Sequence, residues 1–168
     1  MRKWKADKEI WIESHPKPWN EEIETEFHRV FSLEMDLIMD RGHGSCVLRK
    51  PDIRAILEES FRNFDGIRYE MHSWVIMPNH VHILLSMKEG MKLEKVVATW
   101  KNYTATRINR VLGLQGQFWQ KDYFDRMIRD WEHFSRVARY IRKNPVKAKI
   151  RQGEYLLYED EIVKRVLG

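Results

Sequence analysis

The segment Ser73-Trp74-Val75-Ile76-Met77-Pro78-Asn79-His80-Val81-His82-Ile83-Leu84-Leu85 constrains the fold more than any other part of the chain. Two apolar runs flank a Pro-Asn turn signal, and the pattern predicts an antiparallel hairpin with strands over residues 67–76 and 80–87. Side chains on a strand alternate faces with period two. His80 and His82 should therefore project from one side, and Val81, Ile83 and Leu85 from the other. Two imidazoles side by side on rigid backbone are half of a metal site. The same pair also suits a solvated strand face, and strand periodicity alone does not choose between them.

Helical patterns surround the hairpin. Asn20 can cap a helix whose first turns hold Glu21, Glu22 and Glu24, and Ile23, Phe27, Val30, Phe31, Leu33, Leu37 and Ile38 keep helical spacing until Gly42. Pro51 and Asp52 start a second helix, with Ile53, Ile56, Leu57, Phe61 and Phe64 on one face. Residues 93–112 form a third, apolar on one side and basic on the rest. Residues 118–129 alternate well enough to predict another strand. Asp130 then caps a helix from Trp131 that should stop near Asn144, because Pro145 follows. The short pieces are Glu9-Ile10-Trp11-Ile12-Glu13, which alternates like a strand, and the apolar Cys46-Val47-Leu48. The loop around His43 reads either as a plain turn or as backbone brought close to a ligand.

On the helix from Trp131, the stripe Trp131, Phe134, Ala138 and Ile141 should face the sheet. Tyr140 lies off that stripe, in line with His133, Arg136 and Asn144. A tyrosine with an amide at i+4 and arginines nearby is an unusual polar face, of the kind a phosphoryl-transfer site needs.

Charge is concentrated in the same half of the chain. Residues 88–151 carry 16 Lys and Arg against 6 Asp and Glu, whereas residues 1–87 carry 12 against 15. A basic block of that size suits a polyanion, since each phosphate neutralised releases counterions; an ordinary solvated basic surface has the same composition. The single cysteine, Cys46, allows no internal disulfide. No apolar stretch reaches the roughly 18 to 20 residues of a membrane span, and the N-terminus lacks the apolar core of a signal peptide, so a cytoplasmic protein without a membrane partner is expected.

Three motifs together resemble the single-tyrosine HUH transposases, and among them the relatives associated with repetitive extragenic palindromes. They are the segment from Trp74 to Leu85, Phe118-Trp119-Gln120-Lys121-Asp122-Tyr123-Phe124-Asp125-Arg126, and Tyr140-Ile141-Arg142-Lys143-Asn144-Pro145-Val146-Lys147-Ala148. The resemblance covers residues 43–151. It leaves residues 1–42 as an N-terminal arm and helix outside the shared core, and 152–168 as a C-terminal tail.

The resemblance implies an α+β fold, an antiparallel sheet with helices on one face in a ferredoxin-like arrangement. It also implies a nucleoid-associated bacterial enzyme that nicks and rejoins single-stranded DNA at hairpins. Tyr140 would be the nucleophile, and His80, His82 and Asn144 would hold Mg²⁺ or Mn²⁺. The assembly is either a monomer or a homodimer. Phosphate contacts are expected from Lys101, Arg107, Arg110, Lys121, Arg126, Arg129, Arg136, Arg142, Lys143 and Lys147, with Trp119 or Tyr123 as candidates for base stacking. Two alternatives remain: a module that binds DNA hairpins without cutting them, and a rolling-circle replication initiator or relaxase. Tyr103 and Tyr123 rival Tyr140, but neither has an amide at i+4.

Overall fold

The computed structural model describes residues 2–27, 45–121 and 123–168. The hairpin forms: β1 (Tyr69–Ile76) and β2 (Val81–Met87) pair antiparallel, and the Met77 amide donates to the His80 carbonyl at 2.9 Å across Pro78 and Asn79. A third strand, β3 (Leu156–Glu159), adds antiparallel to the other edge of β1, giving the order β2-β1-β3. The stretch 152–168, expected as a tail, thus supplies an edge of the sheet. Leu156, Leu157 and Tyr158 alternate in phase with Ile76, Val75 and Trp74 opposite them.

The α+β class with an antiparallel sheet is as expected, but helices cover both faces of the sheet instead of one. Every residue of β1 from Met71 to Ile76 is buried, so neither face can be left to water. Trp74 and Ile76, with Val81, Ile83, Leu156 and Tyr158 beside them, pack against α3 (Pro51–Arg62) and α4 (Leu93–Leu112). Val75, Leu84 and Leu157 pack on the other side against α5 (Trp131–Lys147) and α6 (Glu161–Leu167).

Local chemistry explains most helix ends. Pro51 occupies the first turn of α3, where its missing N–H costs nothing. α4 closes at Gly113, which adopts the left-handed conformation (φ 65°) while Leu114 N–H returns to the Asn109 carbonyl at 2.8 Å. α5 runs through Pro145 to Lys147 instead of stopping at Asn144. Pro145 sits in the last turn, so its ring removes a single ladder bond, and the Ala148 amide still reaches the Asn144 carbonyl at 2.9 Å. Trp131, expected on the buried stripe of α5, is 66% exposed, whereas Phe134, Ala138 and Ile141 are buried.

The strand expected over 118–129 does not form; its described residues carry no regular secondary structure. Phe118 and Trp119 are consecutive, yet both pack on the core under α4, which a pleated strand forbids. The Gln120 and Lys121 carbonyls bond to Lys101 Nζ at 2.8 and 3.0 Å instead of to a neighbouring strand. Cys46-Val47-Leu48 is likewise no strand: Val47–Arg49 is a 3₁₀ turn whose Leu48 amide donates to the Pro78 carbonyl at 3.0 Å. The buried Arg54 fastens this turn by donating to the carbonyls of Leu48, Arg49 and Gly153.

The chain divides into two compact units, Met1–Gly44 and Ser45–Gly168. In the first, α1 (Arg2–Ser14) includes residues 9–13, so the expected strand there is helical. Ile10 and Ile12 are exposed, while Trp11 stacks on His15 one turn on, with ring centroids 4.0 Å apart. α2 (Glu21–Phe27) begins as expected, the Asn20 side chain accepting from the Ile23 amide at 2.9 Å. The predicted continuation to Gly42 and the His43 loop lie outside the described residues. No helix among the described residues is long and apolar enough to cross a membrane.

Candidate functional site

His82 faces α5 because it pairs across the sheet with Val75, one of the residues beneath that helix. His80, two residues earlier, shares the same side, and the two Nε2 atoms stand 3.1 Å apart with the rings nearly perpendicular. Burial pushes the His82 imidazole down to about 4, so it is neutral at pH 7. From α5 comes Asn144, buried, with Nδ2 3.2 Å from His82 Nε2. Tyr140, one turn earlier on α5, sets its ring edge-on to His82 at 5.4 Å between centroids. The structure therefore brings together His80, His82, Tyr140 and Asn144.

The proton arrangement shows what these groups could hold. Asn79 Oδ1 lies 2.7 Å from His80 Nδ1, so that nitrogen carries the proton and His80 Nε2 presents a lone pair. His82 Nε2 lies 3.2 Å from Asn144 Nδ2, a donor, so it is an acceptor as well, and two acceptor nitrogens stand 3.1 Å apart. Asn144 Oδ1 is buried without a partner. A cation between the rings would relieve the close approach of the two acceptor nitrogens, and a turn of the amide would bring the orphaned oxygen toward it. The 3.1 Å spacing is close to the about 3.0 Å that separates adjacent ligands of an octahedral ion with bonds of about 2.1 Å. No three His, Cys, Asp or Glu side chains gather into such a group among the described residues, so a three-ligand set here depends on Asn144. Two imidazole nitrogens and one amide oxygen fit a divalent ion.

Around Tyr140 lies a depression of about 300 Å³, lined by Arg136, Arg139, Tyr140, Lys143, Asn144 and Lys147. Arg136, Lys143 and Lys147 were expected to contact phosphate. Arg139 was not, although its spacing from Arg136 and Lys143 places it on the same helical stripe. Arg126 and Arg129 lie in the irregular segment before α5. Burial first, then the charges of Arg126, Arg136 and Arg129, hold the His133 imidazole below its ordinary value. A larger depression, about 630 Å³, lies in the N-terminal unit, but its lining of Trp11, His15, Glu22, Ile23, Thr25 and Glu26 offers carboxylates, which repel phosphate.

The remaining candidates are placed elsewhere. Lys101 holds the two loop carbonyls, Arg107 donates to the Glu59 carboxylate, and Arg142 makes a two-pronged pair with Glu159 of β3 at 2.8 and 3.0 Å. Arg110 and Lys121 are exposed. Tyr103 donates to Glu59 at 2.8 Å, away from the histidines. Trp119 packs inward and donates to Thr104 Oγ1 at 2.8 Å, which leaves Tyr123 as the exposed member of the expected stacking pair.

Over 79 residues the chain is 27% identical to the REP-associated tyrosine transposase of Escherichia coli (strain K12), a stretch covering 47% of this chain and 46% of that protein. The chain thus matches about half the length of that relative. No solved structure matches it. The family described as "Transposase IS200 like" matches residues 29–144, starting upstream of residue 43, where the sequence motifs placed the start of the shared core. With well over half of its length matched, the chain belongs to the IS200-like transposase family.

Proposed function

We infer that the chain is a divalent-metal-dependent enzyme that nicks single-stranded DNA at hairpins and rejoins it through a 5′-phosphotyrosine on Tyr140. The observation that carries this reading is the convergence of the His80 and His82 Nε2 atoms, 3.1 Å apart, on the Asn144 amide, with the Tyr140 ring against His82. Membership of a transposase family and likeness to a REP-associated relative support the DNA substrate.

His80, His82 and Asn144 would hold Mg²⁺ or Mn²⁺, which when bound polarises an oxygen of the scissile phosphate. Arg136, Arg139, Lys143 and Lys147 line the same face of α5 and would seat neighbouring phosphates. Tyr140 Oη attacks phosphorus, its proton passing to solvent. The bond to the 3′ oxygen breaks, and that oxygen leaves as a 3′-hydroxyl. A phenol with an ordinary pKa near 10 is a weak nucleophile at pH 7, and Lys147 Nζ, 6.0 Å from the Tyr140 ring centroid, contributes positive potential there. Attack of a second 3′-hydroxyl on the phosphotyrosine releases Tyr140 and reseals the backbone.

The test uses the whole chain, Mn²⁺ and 3′-labelled single-stranded palindromic oligonucleotides taken from DNA flanking its gene. A labelled protein adduct should appear on denaturing gels, persist in Tyr103→Phe, and be lost in Tyr140→Phe and in EDTA. An adduct that survives Tyr140→Phe or chelation overturns the assignment.

A further inference from the structure

We propose that Asn79 is a positioning residue for metal binding: its side-chain oxygen fixes His80 as the tautomer that offers Nε2 to the ion. The inference rests on the reading of His80, His82 and Asn144 as metal ligands. It adds a residue outside the proposed ligand set.

A neutral imidazole carries one N–H and one lone pair, and whichever nitrogen donates a hydrogen bond cannot ligate. His80 Nδ1 is 2.7 Å from Asn79 Oδ1, an acceptor, so the proton sits on Nδ1. The lone pair then lies on Nε2, the atom 3.1 Å from His82 Nε2. An imidazole in water prefers the opposite tautomer, with its proton on Nε2. Without Asn79, His80 would have to exchange that proton before it could bind a metal.

Asn79 is well placed to impose this choice because the backbone around it is held from two sides. The Met77 amide closes the turn onto the His80 carbonyl at 2.9 Å, and the Leu48 amide holds the Pro78 carbonyl at 3.0 Å. The oxygen is thereby presented to His80 before any ion arrives. A hydrogen-bonded partner on the far nitrogen also raises the basicity of the ligating one, and removal of such partners typically weakens metal affinity about 10–100-fold.

The experiment reads tautomer and affinity, not activity. In ¹⁵N-histidine NMR spectra of the whole metal-free chain, His80 should carry its proton on Nδ1 in the wild type and in Asn79→Asp, and on Nε2 in Asn79→Leu. Mn²⁺ titration followed by electron paramagnetic resonance should show Asn79→Leu binding about 10–100-fold more weakly and Asn79→Asp at least as tightly as the wild type. His82→Ala serves as the control for the underlying site. If His82→Ala loses Mn²⁺ and Asn79→Leu does not, Asn79 has no positioning role and the metal site stands. If His82→Ala binds as the wild type does, the site itself is misassigned. A wild-type His80 protonated on Nε2 overturns the proposal without recourse to any variant, so a variant that fails to fold does not shelter it.

Discussion

Burial makes His82 a stability-linked group as well as a candidate ligand. Its folded form titrates near 4 and the unfolded form near the ordinary 6.5, so as pH falls the unfolded chain takes up the proton first. Stability is whole above about 6.5 and declines toward 4, by on the order of 3 kcal/mol from this group. In chelator, His82→Gln should lose less stability than wild type between pH 7 and pH 4.5, as read by urea denaturation; equal losses would show that His82 stays hydrated.

The cations sort by partner. Arg139→Ala and Lys143→Ala should each weaken binding to a single-stranded oligonucleotide and flatten its salt dependence by about 0.7 in log–log slope, the value for one phosphate contact. Arg142, paired with Glu159, should leave that slope unchanged when replaced by Ala and lower unfolding free energy by about 1 kcal/mol. The histidine pair was legible because period two is a rule of backbone geometry. The engagement of Arg142, Arg107 and Lys101 was not, because each one's partner is distant in sequence.

Three elements are joined where β1 bulges. The register shift between Met71 and Ser73 centres on His72, whose Nδ1 meets Asp160 Oδ2 at 2.7 Å and whose Nε2 meets Ser86 Oγ at 2.8 Å. The spacing is that of a Ser–His–Asp array, but here the groups tie β1, β2 and α6 together. Asp160 Oδ1 caps α6 by accepting from the Val163 amide at 2.7 Å, and the His72 ring lies edge-on against Phe134. Asp160→Ala removes both bonds and should cost about 2–3 kcal/mol in urea denaturation, more than Ser86→Ala, which removes one.

Helices α3 and α4 were legible to within two residues because capping and periodicity agree there. The failures have separate causes. Residues 9–13 are too few for an apolar alternation to distinguish strand from helix, and i,i+4 ring stacking decides. Residues 118–129 alternate, but a strand also needs a neighbour, and Lys101 takes the carbonyls. Pro145 marks a stop only when it falls inside a helix, not in its last turn.

At the scale of the whole molecule, the described parts of the site belong to the unit Ser45–Gly168, and its basic block and its histidines sit on separate elements that meet directly where His82 touches Tyr140 and Asn144. The order β2-β1-β3 also bears on the timing of folding. β1 and β2 are joined by the four residues 77–80, whereas Ser73 Oγ reaches the Tyr158 carbonyl across 85 residues of sequence. Local hairpins close in about 1–10 μs, and distant pairings wait on the loop closures between them. Pulsed hydrogen exchange during refolding should therefore protect the β1–β2 amides before those of β3; simultaneous protection would mean that the sheet closes in one step. During synthesis the histidines and the tyrosine leave the ribosome well before the strand that anchors Arg142. The nascent chain thus carries His80, His82, Tyr140 and Asn144 before Glu159, the partner of Arg142 on α5, has been added.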